Sequence, residues 1–425
     1  MIFTPESIID WYSLVFLRIM SVLDDIEIQL SRLDIAVVKE NYEKGNPMFV
    51  SRIIHPVGQG AFYSERIRHR NGCLNVVYDC GSNTSHKVNG KKKIIQTEIE
   101  SYYDEKEIID LLFISHFDSD HVNGLVYLKK HCCIKRVVMP LIPTSAKCFY
   151  LSQLDENLQQ LITNPQAFFG EGAEITHVRC ATKEELHTDS WVLRGVEPDH
   201  CKEIESGTRI MFGDLHDWCY FPFNFDEEAR YSNLINELQI RGLNKDELLR
   251  GDVDYITNNR TAINNAYKNI VKKKGTSNDS SLVVYSGPSA TPHSYRRHSI
   301  LTGNNYRRHI LAEKSVGCLY LGDMNLNQTS NGMDLCTALS MHLTNVKEHI
   351  GLIQVPHHGS KNNFNDDILF LCNGYQLYFA SFKKQNHYGH PSYKVVEDIM
   401  QSNDFVGVSE DRDSVLIDII KGVDC

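Results

Sequence analysis

The sequence gathers groups able to hold a metal ion in one short stretch, Ser115-His116-Phe117-Asp118-Ser119-Asp120-His121. Two imidazoles and two carboxylates follow directly on the apolar run Leu111-Leu112-Phe113-Ile114. Such a run reads as a buried strand, and Gly124 followed by Leu125 reads as the start of a helix. Charged groups this close to a core strand must be paired or must coordinate a cation. A helix N-terminus could use one carboxylate as a cap, which would explain Asp118 or Asp120. It would leave His116 and His121 unexplained. Divalent-metal binding accounts for all four.

Other chemically capable groups stand in the same relation to apolar runs. Asp79 closes Asn75-Val76-Val77-Tyr78, Asp323 closes Cys318-Leu319-Tyr320-Leu321-Gly322, and His357-His358 follows Ile350-Gly351-Leu352-Ile353-Gln354-Val355-Pro356. His390 comes just after Gln376-Leu377-Tyr378-Phe379-Ala380-Ser381-Phe382, within Asn386-His387-Tyr388-Gly389-His390-Pro391. Each lies beyond the carboxyl end of a predicted strand. Sheets flanked by helices build sites along that edge, because the loops converge there while the strands stay rigid. One instance is weak, but five in one chain form a pattern.

The elements that must position these groups are strands with helices between them. Strands are predicted at 49–54, 75–81, 134–139, 175–178, 191–196, 282–285, 405–409 and 414–420, besides those already named. Helices are predicted at 6–38, after Gly124, over 145–169 and 226–273, and from Ser392. The N-terminal helix carries apolar residues at helical spacing and ends before Gly45-Asn46-Pro47. We place an N-terminal helical extension at 1–47 and the main domain at 48–425, with a charged insertion at 220–275. Asn89-Gly90 before Lys91-Lys92-Lys93 signals a hairpin or loop. Tyr-Arg-Arg-His occurs twice, at 295–298 and 306–309. Paired arginines beside aromatics suit either phosphate and base contacts or a solvated loop.

Composition sets outer limits. With 425 residues, 42% hydrophobic and 23% charged, the chain is of ordinary globular make-up. A formal net charge of -10 argues against a general nucleic-acid coat protein, though a local basic groove remains compatible with it. The twelve cysteines include no Cys-x-x-Cys pair, which suits reduced thiols in a cytoplasmic protein. Residues 8–23 are interrupted by Asp10 and Arg18 and lack a basic leader, so neither a signal peptide nor a membrane span is expected.

In motif order the chain resembles the metallo-β-lactamase hydrolase superfamily, and within it the ComEC-type hydrolase domain of competence DNA uptake. The matching pieces are Val57-Gly58-Gln59-Gly60, Asp79-Cys80-Gly81, the stretch 116–124, Asn278 to Val283, Gly322-Asp323, His357-His358-Gly359-Ser360 and Asn386 to Pro391. They span about residues 48–395. The resemblance implies an α/β fold, a four-layer αββα sandwich, with one or two divalent ions, zinc or manganese. Carried over by position, His116 and Asp118 would hold one ion and Asp120 and His121 a second. Asp323 would bridge them, His358 would complete the ligands, and Asp79 would stand behind. His357 would face the substrate, His357 or His390 would donate a proton to the leaving oxygen, and Asn278, Ser281, Asn386 and Tyr388 would contact the substrate. The superfamily has histidine where this chain has Asp118, and more carboxylate ligands favour manganese over zinc. A further family histidine has four candidates, His177, His187, His200 and His216.

The implied activity is metal-dependent hydrolysis by a metal-activated water, with Asp120 or Asp79 orienting it. We expect a phosphodiesterase, most simply a nuclease, whose partner is nucleic acid or another phosphodiester. Hydrolysis of a small ester, lactone or thioester is the alternative, as is a degenerate hydrolase acting as a binding partner. No membrane association is expected, and the N-terminal helix is a candidate for self-association or protein contact.

Overall fold

The computed structural model describes residues 48–423 except 70–71, 85–86, 89–91, 182–191, 194–200, 213–214, 226–227, 275–280, 290–293, 302–307, 314 and 331–332. The expected N-terminal helix, Asn278, His187 and His200 lie outside the described residues.

Two large sheets carry the fold. In chain order the strands of the first are β1 (Phe49–Ile54), β2 (Phe62–His69), β3 (Gly72–Cys80), β4 (Leu111–Phe113), β5 (Arg136–Pro140) and β6 (Glu174–Val178). The chain then makes β7 (Val192–Leu193) of the second sheet, β8 (Cys201–Ile204) of the first, and β9 (Arg209–Phe212), β10 (Leu215–Phe223) and β11 (Val283–Pro288) of the second. β12 (Ser294–Leu301) and β13 (Arg308–Glu313) return to the first sheet. β14 (Gly317–Tyr320), β15 (Ile350–Gln354), β16 (Leu377–Ser381) and β17 (Asp404–Val408) build the second, and β18 (Leu416–Val423) closes the first. The ten-stranded order is β8-β6-β5-β4-β3-β2-β1-β18-β12-β13, and the eight-stranded order is β7-β9-β10-β11-β14-β15-β16-β17.

The strands that deliver site residues run parallel within each sheet. β3 pairs in parallel with β4, and β14, β15 and β16 pair in parallel in turn. Parallel neighbours end on the same edge, so Asp79, the 116–121 loop, Asp323, His357-His358 and His390 are all delivered to the carboxyl edges of their sheets.

Side-chain alternation sorts each strand into an outer and an inner face. Val77, Leu112, Val137 and Ile175 of the first sheet join a core with helices that include α1 (Ile94–Tyr102) and α2 (Leu125–His131). Leu319, Ile353 and Tyr378 of the second sheet join another core with α3 (Leu335–His342) and α4 (Tyr393–Met400). Between the sheets, the rings of Tyr63, Tyr78 and Tyr320 stack, Tyr78 on Tyr320 at 4.8 Å between centroids. The result is a mixed α/β sandwich.

The stretch predicted as an insertion begins inside this core. Residues 220–223 belong to β10, which pairs with β11 from Trp218 opposite Pro288 to Phe223 opposite Val283. The helices that follow put Tyr231, Leu234, Ile235 and Leu238 at helical spacing on one buried face, within the first sheet's core. Ser232, Asn233, Asn236 and Glu237 fill the opposite face.

The first Tyr-Arg-Arg-His copy corrects an expectation. It is neither a solvated loop nor a pair of arms for an anion, because it forms β12, which pairs antiparallel with β18. Strand alternation turns Arg297 and Ser299 inward and leaves Arg296 exposed. Arg297 Nε and Ser299 Oγ each donate to Asp418 Oδ1 at 2.7 Å. Asp418 Oδ2 accepts from Arg52 at 2.7 Å, and Arg52 also donates to Glu65 at 2.7 Å. Tyr220, Ser286 and Tyr320 of the second sheet donate to Glu65 at 2.8, 2.7 and 2.8 Å. Two guanidiniums and two carboxylates thus balance in a buried network that ties the sheets together. The second copy, including the side chains of Arg308 and His309, lies outside what is described.

Removing one member of such a network leaves uncompensated buried charge, which costs about 3–5 kcal/mol. Asp418→Ala should lower unfolding stability by about that amount in a urea titration, whereas exposed Arg296→Ala should change it by less than about 0.5 kcal/mol.

Candidate metal centre

β4 ends at Phe113, and the chain passes through Ser115 and His116 into a single helical turn, Ser119–Val122. Close backbone packing fixes this loop. Ala61 N donates to Asp120 O at 3.1 Å, and Gly81 N donates to Ala61 O at 2.9 Å. A Cβ on Gly81 would stand 2.5 Å from the Asp120 carbonyl carbon, so no side chain fits there. Opposite, Gly322 turns the chain after β14 with φ +55°, and Gln354 Oε1 accepts from Leu321 N and Gly322 N at 3.0 Å each. These contacts aim Asp323 at the histidine loop.

Five of the six predicted ligands converge. His116, His121 and Asp323 bring one ligand atom each to within 4.8 Å of one another, and so do Asp120, His121 and His358. His121 belongs to both groups, and since its one Nε2 lone pair can serve a single ion, the two groups form one continuous cluster. The sixth, Asp118, stands at the rim, its Oδ2 3.9 Å from His116 Nε2. Asp79, Ser115, His116, His121, Asp323 and His358 are all buried.

The hydrogen bonds assign the imidazole tautomers. His121 Nδ1 lies 2.7 Å from Asp79 Oδ2, an acceptor, so the proton sits on Nδ1. His358 Nδ1 lies 2.8 Å from the carbonyl of Ser381, with the same outcome. For His116 the assignment runs through a hydroxyl. Ser115 Oγ gives its one proton to Asp79 Oδ2 at 2.6 Å, so towards His116 Nδ1, 2.8 Å away, it can only accept. All three Nε2 atoms therefore face the centre. They are buried, with His121 Nε2 3.1 Å from Asp323 Oδ1 and His358 Nε2 3.3 Å from Asp120 Oδ2, but none is held in a well-directed hydrogen bond.

Charge follows the same logic. Burial, reinforced by the neighbouring His121 charge, holds His116 down to about 3, so the imidazole is neutral. Its Nε2 lone pair looks towards Asp323 Oδ2 at 3.8 Å and Asp118 Oδ2 at 3.9 Å. Acceptors facing one another across a buried space call for a cation. Burial resists charge on His121, but Asp323 and Asp79 push its pKa well above the ordinary value. His358 is raised against burial by Asp323 and Asp120. Burial works against ionisation of both acids; nonetheless His358 and His121 pull Asp120 down to about 2, and His357, His121 and His358 hold Asp323 well below the carboxylate range. Without an ion, protons on two imidazoles balance the acids, and an entering cation would displace them.

The backbone is strained here too. Asp79, His357 and His358 have φ values of 56°, 47° and 56°, three of the four non-glycine residues at positive φ among those described. Such conformations persist where surrounding contacts impose them, and they cluster at functional sites.

The remaining predicted residues divide. Asp79 stands behind His121 as expected, and it also accepts from Ser115 N at 2.7 Å. It is fully buried and so held that it cannot also orient a water. Ser281 was expected to contact substrate, but it is buried. Its Oγ accepts from Asp323 N at 2.9 Å and lies 3.2 Å from His116 Nδ1, which makes it a positioning residue. Asn386 is likewise turned inward on its own loop: Oδ1 accepts from Tyr388 N and His390 N, and Nδ2 donates to Lys383 O and His390 O. His357, part exposed, holds Nε2 3.7 Å from Asp323 Oδ2, and its ring lies 5.6 Å from that of His390. Tyr388 is 73% exposed.

His177 sits on β6 with Glu203, Lys147 and Pro140 as neighbours and does not complete the centre. The side chain of His216 lies outside the described residues. Sequence reasoning missed Ser115 and the Ser381 carbonyl. Only the adjacency of Ser115 to His116 signalled the first, and nothing signalled the second. One other constellation has a catalytic look: His55 lies 2.7 Å from Ser64 Oγ and 3.5 Å from Glu98. Ser64 is fully buried on β2, out of reach of a substrate.

No family model matches the chain, and no curated protein matches it. Among the described residues, no helix is long and apolar enough to cross a membrane.

Two outcomes follow for metal binding, measured by calorimetry. Asp79→Asn should weaken divalent-ion affinity about 10–100-fold, as loss of a carboxylate behind a ligand histidine does. Affinity should also fall as pH drops from 8 to 6, because the raised pKa values of His121 and His358 mean that protons compete harder for the same Nε2 atoms.

Proposed function

We propose that this chain is a metal-dependent hydrolase of metallo-β-lactamase type, and that its substrate is a phosphodiester, most simply a nucleic acid. One observation carries the reading. Three buried imidazoles have their Nδ1 protons committed elsewhere and their Nε2 atoms turned towards the acids, His116 at 3.8 Å and His121 at 3.1 Å from Asp323 and His358 at 3.3 Å from Asp120. The order of layers and the delivery of every group to the carboxyl edges support the four-layer αββα architecture that the motif resemblance implies.

The donor set fits one or two divalent ions, held by His116, His121, His358, Asp120 and Asp323, with Asp118 at the rim. Three carboxylates among the candidate ligands favour manganese over zinc. A divalent ion bound there supplies Lewis acidity, polarising the scissile phosphoryl group and acidifying a water.

The rest falls to the chain's own side chains. Asp120 keeps part of its carboxylate exposed and can orient the attacking water, a role closed to Asp79. His357 can carry a proton on Nε2 to the leaving oxygen, since it flanks Asp323 and reaches the surface. His390 suits this less: burial, with the charges of His357 and His358, lowers it to about 4, leaving it neutral at neutral pH. It serves better to orient His357. Arg297 gives the phosphodiester reading no support, because Asp418 occupies it. That reading rests on the carboxylate-rich ligands and the ComEC-type motif order.

Purified protein supplied with manganese should cleave a labelled single-stranded oligonucleotide, and Asp120→Ala and His121→Ala should each reduce cleavage to background. Activity persisting in both variants would place the chemistry elsewhere. Asp118→His should shift the metal preference from manganese towards zinc, measured as relative rates with each ion.

A further inference from the structure

The ligand histidines continue outward as a row of rings. His358 and His357 have centroids 5.9 Å apart, His357 and His390 5.6 Å, and His390 and Tyr388 5.8 Å. The planes of the last pair are nearly parallel, at 12°. The row runs from a buried ligand to a tyrosine that is 73% exposed. His390 backs one face of the Tyr388 ring, so the open surface is the other.

This tyrosine is not a loose surface residue. The four hydrogen bonds of the Asn386 amide close the loop from Lys383 to His390 and fix the main chain at Tyr388 and His390. The loop is in turn pinned to the ligand loop: Ser392 N donates to Gly359 O at 2.9 Å, and a Cβ on Gly359 would meet Pro391 Cβ at 2.6 Å. The outermost ring is therefore held in register with His357 and His358. A large ring kept exposed on a rigid loop beside a reaction centre is a surface for a flat partner.

We propose that Tyr388 is a stacking platform for the base of the nucleotide flanking the scissile phosphodiester. This rests on the phosphodiesterase reading and deepens it, since it selects a nucleoside-bearing substrate over a plain phosphodiester. At most two ring spacings, 5.6 and 5.8 Å, separate Tyr388 from His357, so a phosphate held near His357 has its flanking nucleoside on the side of Tyr388. Every base has a π-face, so the platform is tolerant of sequence. A base paired in a duplex has no free face, so single strands are preferred.

The test uses two manganese-dependent substrates with one leaving group, methyl p-nitrophenyl phosphate and thymidine 5′-(p-nitrophenyl phosphate). Tyr388→Ala should raise KM for the thymidine ester about 5-fold or more and leave the methyl ester unchanged. Tyr388→Phe and Tyr388→Trp should retain wild-type KM for both. Equal loss on both esters, or none on the thymidine ester, overturns the platform. If the wild-type protein cleaves neither ester, the phosphodiesterase reading fails, and the platform is judged by calorimetric binding of thymidine 5′-monophosphate to the manganese-loaded protein. Binding weakened about 5-fold or more by Tyr388→Ala, with Tyr388→Phe unaffected, supports it; equal binding in all three proteins overturns it.

Discussion

The Asp79 carboxylate is the constraint on which the site depends. It sits fully buried at the end of β3, and burial pushes its pKa up, only partly offset by His121 and Ser115. One oxygen takes the Nδ1 proton of His121 and the hydroxyl proton of Ser115, and the other takes the Ser115 amide. Because Ser115 has spent its proton on Asp79, its oxygen must accept from His116. A single acid thus sets the tautomers of two candidate ligands, and both lone pairs turn the same way. The left-handed backbone at Asp79 is the local cost of presenting its carboxylate in that position.

The same economy of buried charge recurs in the core. Arg52, Glu65, Arg297 and Asp418 neutralise one another between sheets, and tyrosine and serine hydroxyls fill the remaining acceptor positions. Burial alone would keep such groups neutral, and only mutual pairing lets them stay ionised. At the candidate centre the balance is different. The surplus is of lone pairs and carboxylates, and protons on His121 and His358 meet it in the absence of a cation. In the core, fixed guanidinium charges balance the two carboxylates; at the strand ends that balance rests on exchangeable imidazole protons, which a cation can replace.

Much of this was legible in the sequence. Apolar runs closing on Asp79, on the 116–121 loop, on Asp323 and on His357-His358 marked both strands and site, because parallel strands share an edge. Asn386, Ser281 and Arg297 were misread for one common reason. Each is a polar residue beside a motif, and sequence cannot tell whether its polar atoms turn to substrate or to neighbouring chain. For Arg297 the decisive fact is Asp418, 121 positions away. For Asn386 it is a turn that closes on itself. The helices of 228–274 were read as part of a charged insertion, and the buried stripe of Tyr231, Leu234, Ile235 and Leu238 shows only in the packed core.

The central claim is that the converging Nε2 atoms hold divalent metal. Anomalous scattering from crystals grown with manganese, with data collected at energies that distinguish manganese from zinc, tests it most directly. The account predicts one or two peaks among His116, His121, His358, Asp120 and Asp323. Crystals grown in excess metal with no peak there, or with peaks only at surface carboxylates, would contradict it.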